Sequence, residues 1–184
     1  QLADAVARAA TRQVAYFSTN NEFNDWDTVH HTFTYANAVH RATRKTDATE
    51  LYRGCLDGAM SVYLDRFLNQ PKAPLPAPGD SDSTRDPGEV RSDLLDCFDE
   101  QGSVNRAARL VNEYLDVTGG SDIESLKQTL GRGLLREDAD FHTLQNVEAA
   151  FQRVDTVEEE RARRIALMAA ARYLAAHTPT RREN

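Results

Sequence analysis

Two aspartate–histidine pairs are the sequence features best suited to chemistry. Asp27 precedes His31 by four residues, and Asp138 precedes His142 by the same interval. Side chains four residues apart on an α-helix stand on one face, so each pair can bind one ion. Two facing pairs would supply two carboxylates and two imidazoles, a ligand set that helical bundle proteins use for iron or manganese. The spacing therefore predicts a metal site with the ligands Asp27, His31, Asp138 and His142.

A simpler interpretation of both pairs stays open. Each aspartate falls near a predicted helix start, where the helix dipole alone favours an acidic side chain. The chain has 29 acidic residues, so a carboxylate four residues before a histidine is common by chance. The Glu-x-x-His pattern of established bundle metal sites does not occur in the sequence. The pairs thus predict either a shared site or two unrelated helix-start carboxylates.

Other kinds of site are excluded by the residues that the sequence lacks. The two cysteines, Cys55 and Cys97, lie far apart, and no Cys-x-x-Cys or Cys-x-His pattern occurs. This excludes a zinc knuckle and an iron–sulfur cluster in this chain, and we expect two reduced thiols in a cytoplasmic protein. Phosphate-binding glycine loops, the dinucleotide-binding motif and a nucleophile elbow are also missing, so no catalytic residue is assigned.

Composition limits the classes of partner. Of 184 residues, 40% are hydrophobic and 28% are charged, which is typical of a globular protein. The net charge of −7 repels phosphate groups and argues against nucleic acid as a partner. No apolar run approaches the roughly 18 to 20 residues of a membrane span, and no signal-peptide pattern opens the sequence.

Hydrophobic periodicity predicts helices along nearly the whole chain and no strands. Capping-box patterns place helix starts at Asp47, Ser121 and Thr156, and Asp86 before a proline marks a further start. We predict a single all-α domain over 1–184, a bundle of seven or eight helices with a frayed tail at 178–184. The predicted helices span 2–17, 26–43, 47–69, 86–101, 103–118, 121–130, 134–153 and 157–177.

Two further segments carry expectations about packing. The third predicted helix is apolar nearly all round, which is typical of a central helix. Its Gly54 and Gly58 leave room for a neighbouring helix to approach closely. The loop at 70–88 holds five of the six prolines. A loop of that length is expected to be either a functional lid or a disordered connection.

Three stretches resemble a helical region of bacterial, largely actinobacterial, proteins described as Rieske (2Fe-2S) proteins. They are His31 to Ala38 (HTFTYANA), Gly58 to Asn69 (GAMSVYLDRFLN, followed by Pro71) and Leu135 to Gln145 (LREDADFHTLQ). The resemblance covers most of residues 26–175. The Rieske cluster itself needs Cys-x-His and Cys-x-x-His, and this chain has neither.

The resemblance implies that the chain is the helical part of a redox system, or a stand-alone relative of that part. It directs attention to His31, Asn37, Asp65, Arg66, Glu137, Asp138, His142 and Gln145. We therefore expect a polar pocket between the second helix and the 134–153 helix, with ligand-binding residues His31, Asn37, Glu137, His142 and Gln145. It would bind a small molecule or a metal as part of an oxidoreductase. The alternative is a non-catalytic domain that docks a Rieske or ferredoxin-like partner.

Overall fold

The computed structural model describes residues 1–22, 24–68, 71–81 and 84–180, and these ranges hold eight α-helices and no β-strand. The prediction of an all-α fold is confirmed. The helices are α1 (Leu2–Ala15), α2 (Asp25–Thr43), α3 (Glu50–Asp65), α4 (Pro87–Cys97), α5 (Val104–Val117), α6 (Ile123–Leu135), α7 (Phe141–Thr156) and α8 (Glu160–His177). The chain divides into two compact units, unit 1 from Gln1 to Ala73 and unit 2 from Pro74 to Asn184. The single domain over 1–184 stays a prediction.

Unit 1 is an assembly of three helices, in which α1 packs along α2 and α3 packs against both. The buried face of α1 includes Val6 and Ala10, and that of α2 includes Trp26 and Phe33. At the turn between α1 and α2, the rings of Phe17 and Trp26 meet edge to face with centroids 4.8 Å apart. These positions follow the 3.6-residue period read from the sequence, so the second helix and its apolar face are as predicted.

The prediction that the third helix is central is wrong. Only Cys55, Gly58 and Asp65 are buried in α3, and its large apolar residues are exposed. The glycine face turns inward, because a Cβ on Gly54 would lie 3.2 Å from a methyl group of Val39. Close helix approach at the glycines is thus confirmed, but it places the small side chains inside unit 1 and the large ones outside. The predicted helix end at Asn69 lies outside the described residues.

The central helix of unit 2 is α8, which packs against α5, α6 and α7. Every residue from Arg164 to Ala175 is buried. The periodicity predicted one apolar face for this helix. Small alanines at positions such as 166, 170 and 171 fill its other faces, so neighbouring helices cover it on all sides.

The boundary between α6 and α7 differs from the predicted one. α6 continues through Gly131 and Gly133, where the sequence predicts a break. Packing explains why a glycine occupies position 133 within the helix, because a Cβ there would lie 2.6 Å from the ring of Phe98. The single helix predicted over 134–153 is also wrong, since the backbone of residues 136–140 is not helical and α7 begins only at Phe141.

Side-chain caps form at only some of the predicted helix starts. Asp86 accepts hydrogen bonds from the backbone N–H groups of Gly88 and Glu89, as predicted. The start assigned to Ser121 is capped instead by Asp122, which accepts from the N–H of Ser125 at 3.1 Å. No side-chain cap is present at the starts of α3 and α8, and Thr156 is the last residue of α7. Capping-box spacing alone therefore does not locate these helix starts.

The central position of α8 can be tested with a core truncation. Leu167 is fully buried, and Leu167→Ala is expected to lower the free energy of unfolding by about 2 to 5 kcal/mol. Leu135, which is 82% exposed, provides a matched control, and Leu135→Ala is expected to change stability by less than about 0.5 kcal/mol. Urea denaturation measures both, and equal midpoints for the two variants would contradict the central placement of α8.

Candidate functional site

The first predicted pair lies on α2 of unit 1. Asp27 and His31 are both within this helix, so they share one face as the spacing predicts. His31 is exposed, whereas its neighbour His30 is fully buried, and their ring centroids lie 5.2 Å apart. Asn37 is buried further along the same helix. α2 therefore presents one surface imidazole beside a half-buried carboxylate.

Asp65 and Arg66, which the resemblance emphasises, lie at the end of α3. The buried Asp65 carboxyl is hydrogen-bonded to Thr32 on α2. Burial raises the pKa of Asp65, and the hydrogen bond with Thr32 partly opposes that shift. The guanidinium of Arg66 stacks on the rings of Tyr63 and Phe67 at 3.4 and 3.7 Å. Asp65 thus ties α3 to α2 within unit 1.

The second predicted pair does not form on a helix. Asp138 lies in the connection before α7, so it shares no helical face with His142. Its backbone N–H donates to the hydroxyl of Thr180, and the carboxylate of Glu137 accepts from both the N–H and the hydroxyl of Thr180 at 2.7 Å. Glu137, a predicted ligand, therefore holds the segment after α8 against the α6–α7 connection.

The carboxylate beside His142 is that of Asp140, the N-cap of α7. Its Oδ2 lies 3.5 Å from Nδ1 of His142, and its Oδ1 accepts from the N–H and hydroxyl of Thr143. Burial acts to raise the pKa of Asp140, but the Thr143 hydrogen bonds and the charges of His142 and His177 outweigh it and lower the pKa. His177 donates from Nδ1 to the Tyr173 carbonyl at 2.8 Å and stacks on its ring.

The predicted ligands are distributed over both units. Asp27, His31 and Asn37 belong to unit 1, and Glu137, Asp138, His142 and Gln145 belong to unit 2. Gln145 is exposed on α7. Within either unit taken alone, the described residues bring no three histidine, cysteine or carboxylate side chains close enough to share an ion. A site shared by His31 and His142 stays a prediction.

Both thiols are buried. Cys55 and Cys97 are free cysteines with exposures of 3% and 0%. Burial raises the pKa of Cys97, and its S–H donates to the Ser103 carbonyl at 3.5 Å. A thiol buried from solvent is inaccessible to a substrate, so neither cysteine is a candidate catalytic group.

Unit 2 contains a polar groove that the sequence does not predict. Its volume is about 470 Å³, and α5 forms its floor with Asn105, Arg109 and Asn112. The Pro74–Pro76 stretch forms an apolar wall, and Asp80 and Glu113 also line the groove. A concave site of this size with a few convergent polar groups is typical of small-molecule binding. We call it the α5 groove.

A buried arginine orients one of the groove residues. Arg172 on α8 is fully buried, its pKa is lowered to about 10 by that burial, and its guanidinium donates to the Oδ1 of Asn105. Because the amide oxygen is held by Arg172, the Asn105 NH₂ group is left as the donor on the groove side. Arg109 follows one turn later on α5, so the two donors share a face.

The proline-rich segment is anchored where it passes the groove. Asn112 Nδ2 donates to the Ala77 carbonyl at 3.0 Å, and the N–H of Gly79 donates to Asp116 at 3.2 Å. Asp116 is in turn paired with the buried Arg164 at 2.7 Å. Ala77 and Gly79 of the predicted loop are therefore bonded to α5, and the choice between a functional lid and a disordered connection stays a prediction. Residues 82 and 83 lie outside the described ranges.

The groove residues had a weak signal in the sequence. Asn105, Arg109, Asn112 and Asp116 recur every three or four residues and form a polar stripe on α5. Such a stripe is usually a solvated face, so it carries little information without the loop that covers it.

No family model matches this chain, and no curated protein and no solved structure is detectably similar to it. Across the described ranges, no helix has both the length and the apolar character that a membrane crossing requires.

The role of Asp140 can be tested by pH. Asp140→Ala is expected to lower the free energy of unfolding at pH 7 by about 0.5 to 2 kcal/mol, because the cap of α7 is lost. The folded-state pKa of Asp140 is lowered, so its contribution is full above the unfolded value near 3.9 and is lost as the pH falls through the folded value. Urea titrations should show that the difference in unfolding free energy between the parent protein and Asp140→Ala becomes smaller below about pH 4. Asp138→Ala, an exposed non-capping change, should have little effect at either pH.

Proposed function

We propose that this chain binds a small monocarboxylate in the α5 groove, as the ligand-binding helical part of a redox system. The observation that carries the proposal is the pair of donors on α5, Asn105 and Arg109, with the Asn105 amide held by the buried Arg172. A guanidinium and an amide NH₂ on one helix face suit the two oxygens of a carboxylate.

The charge of the groove favours a monoanion over a polyanion. Asp80 and Glu113 line the same cavity as Arg109. Two carboxylates repel every negative charge that enters the groove, so they disfavour a phosphate or a dicarboxylate more than a single carboxylate bound at Arg109. Pro74, Leu75 and Pro76 supply apolar surface for the body of the ligand. The class that fits is therefore an aliphatic or aromatic acid with one carboxylate.

The redox setting of this proposal rests on the resemblance to helical regions of Rieske-type proteins. In that setting the chain would hold a carboxylic acid for an oxidoreductase, and a Rieske or ferredoxin-like partner would supply electrons. Iron or manganese at Asp27, His31, Asp138 and His142 stays a separate prediction. Elemental analysis of parent protein, His31→Ala and His142→Ala tests it, with stoichiometric metal expected only in the parent.

The monocarboxylate proposal is tested by isothermal titration with benzoate, hexanoate and inorganic phosphate. We expect the parent protein to bind at least one monocarboxylate and not phosphate. Arg109→Ala should weaken that binding by about 1.5 to 3 kcal/mol, roughly 10- to 150-fold, because a charge-assisted hydrogen bond is lost. Arg106→Ala is the matched control, since Arg106 lies on the same helix and pairs with the exposed Glu100.

Two outcomes of these titrations would contradict the proposal. Equal weakening by Arg106→Ala and Arg109→Ala would indicate a general charge effect and would contradict a site in the groove. Heat release with phosphate alone would point to a different ligand class.

A further inference from the structure

Unit 1 leaves an apolar stripe uncovered along α3. Six large side chains, five on α3 and Phe67 just after its end, are more than half exposed, which is unusual for neighbouring side chains. They are Tyr52 at 63%, Leu56 at 64%, Met60 at 58%, Tyr63 at 55%, Leu64 at 54% and Phe67 at 64%. We call this surface the α3 face. A continuous patch of this kind marks an interaction surface rather than ordinary surface composition.

The α3 face stands on a fixed helix. On the opposite side of α3, Gly58 lies against Val6 of α1 and Gly54 against Val39 of α2, at ideal Cβ distances of 3.2 Å. Gln13 on α1 donates to the Val62 carbonyl at 2.6 Å. Because the small residues lock the inner side, α3 cannot rotate its large side chains inward without opening these contacts.

On the α3 face, Leu56 and Leu64 flank Met60 at an equal spacing of four residues. Tyr52, Leu56, Met60 and Leu64 recur every fourth residue and form one ridge, while Tyr63 and Phe67 form the row beside it. Ridges of this i±4 kind pack into the grooves of an identical helix at about −50°, the commonest helix crossing in globular proteins. A two-fold axis near Met60 would bring Leu56 of one copy against Leu64 of the other.

The size of the α3 face matches what a stable dimer needs. Six large side chains, each more than half exposed and each with roughly 200 Å² of surface, give about 700 to 800 Å² per copy. A standard protein–protein interface buries about 800 Å² per partner. The face is thus large enough for a complete interface without help from another surface.

The charges that border the α3 face balance. Glu50 and Asp57 oppose Arg53 and Arg66, so the border is neutral although the whole chain carries −7. Arg53 and Asp57 pair with each other along α3, and Arg66 lies over aromatic rings of the face. An identical copy therefore meets no net repulsion here, which it would meet on the average acidic surface of this protein.

We propose that the α3 face is the contact surface of a symmetric homodimer, in which α3 of one copy crosses α3 of the other at Met60. The interface is isologous, so Leu56 of one copy packs toward Leu64 of the other. The apolar side chains supply the affinity, and the neutral border adds no net electrostatic repulsion between the two copies.

Cross-linking of the full chain tests the two-fold contact. Met60→Cys places two thiols beside the axis, and a short bismaleimide should convert most of the protein to a covalent dimer. The native Cys55 and Cys97 are buried and should not react in the folded protein. Leu135→Cys, at an 82% exposed position of unit 2, is the matched control and should give little dimer.

Sedimentation equilibrium across the micromolar range tests the energetics. The parent protein should dimerise, and Met60→Glu should raise the dimer dissociation constant at least about tenfold, because two carboxylates would face each other at the axis. Leu135→Glu should leave the constant unchanged. Circular dichroism of each variant confirms that the exposed substitutions leave the helices intact.

Two results would overturn the proposal. One is a monomeric parent protein at every concentration with no Met60→Cys cross-link. The other is a dimer that dissociates equally for Met60→Glu and Leu135→Glu. A monomer that instead binds a ferredoxin through the α3 face, and loses that binding in Met60→Glu, would assign the face to a redox partner.

Discussion

The buried ion pair between Arg164 and Asp116 is the interaction on which unit 2 depends most. The Nη1 atom of Arg164 donates to Asp116 at 2.7 Å, to the Asn112 side chain at 2.8 Å and to the Asn112 carbonyl at 3.2 Å. Burying a guanidinium costs several kcal/mol unless it is paired and hydrogen-bonded, and here α5 supplies a carboxylate and two further acceptors for Nη1. The pair therefore fixes α8 against α5 in one register.

The same pair extends its effect to the irregular segment before α4. Asp116 also accepts from the N–H of Gly79, and Asn112 holds the Ala77 carbonyl. The proline-rich segment has no regular secondary structure at 74–81, and these bonds to α5 hold its apolar wall over the groove. The α5 groove is thus a consequence of charge burial in the core, and Arg172 adds the second buried guanidinium that orients Asn105.

Unit 1 is organised on a different principle. Its helices contact each other closely at glycine and alanine residues, because these small side chains let the backbones approach. The bulky residues of α3 then have no place inside and form an outer face. Removing that face from water gains free energy only through another surface, which is the physical basis of the proposed dimer.

The amino-acid sequence by itself determined the helical class and most helix bounds, because apolar periodicity is a local property of the chain. It also identified Asp27 and His31 as neighbours on α2, the cap at Asp86 and close packing at Gly54 and Gly58. Each of these features depends on residues within a few turns of each other, so no knowledge of distant contacts is required.

Only the tertiary structure decided which helix is central and which polar groups meet. The sequence predicts that α3 is the core helix, but α3 is peripheral in unit 1. An apolar sequence does not reveal whether enough neighbouring helices exist to cover it. The sequence predicts Asp138 as the partner of His142 on one helix. Helix α7 begins three residues after Asp138, and Asp140 is the carboxylate beside His142. The groove joins α5 and a loop more than 20 residues away in sequence. Non-local contacts of this kind arise from packing, which periodicity does not encode.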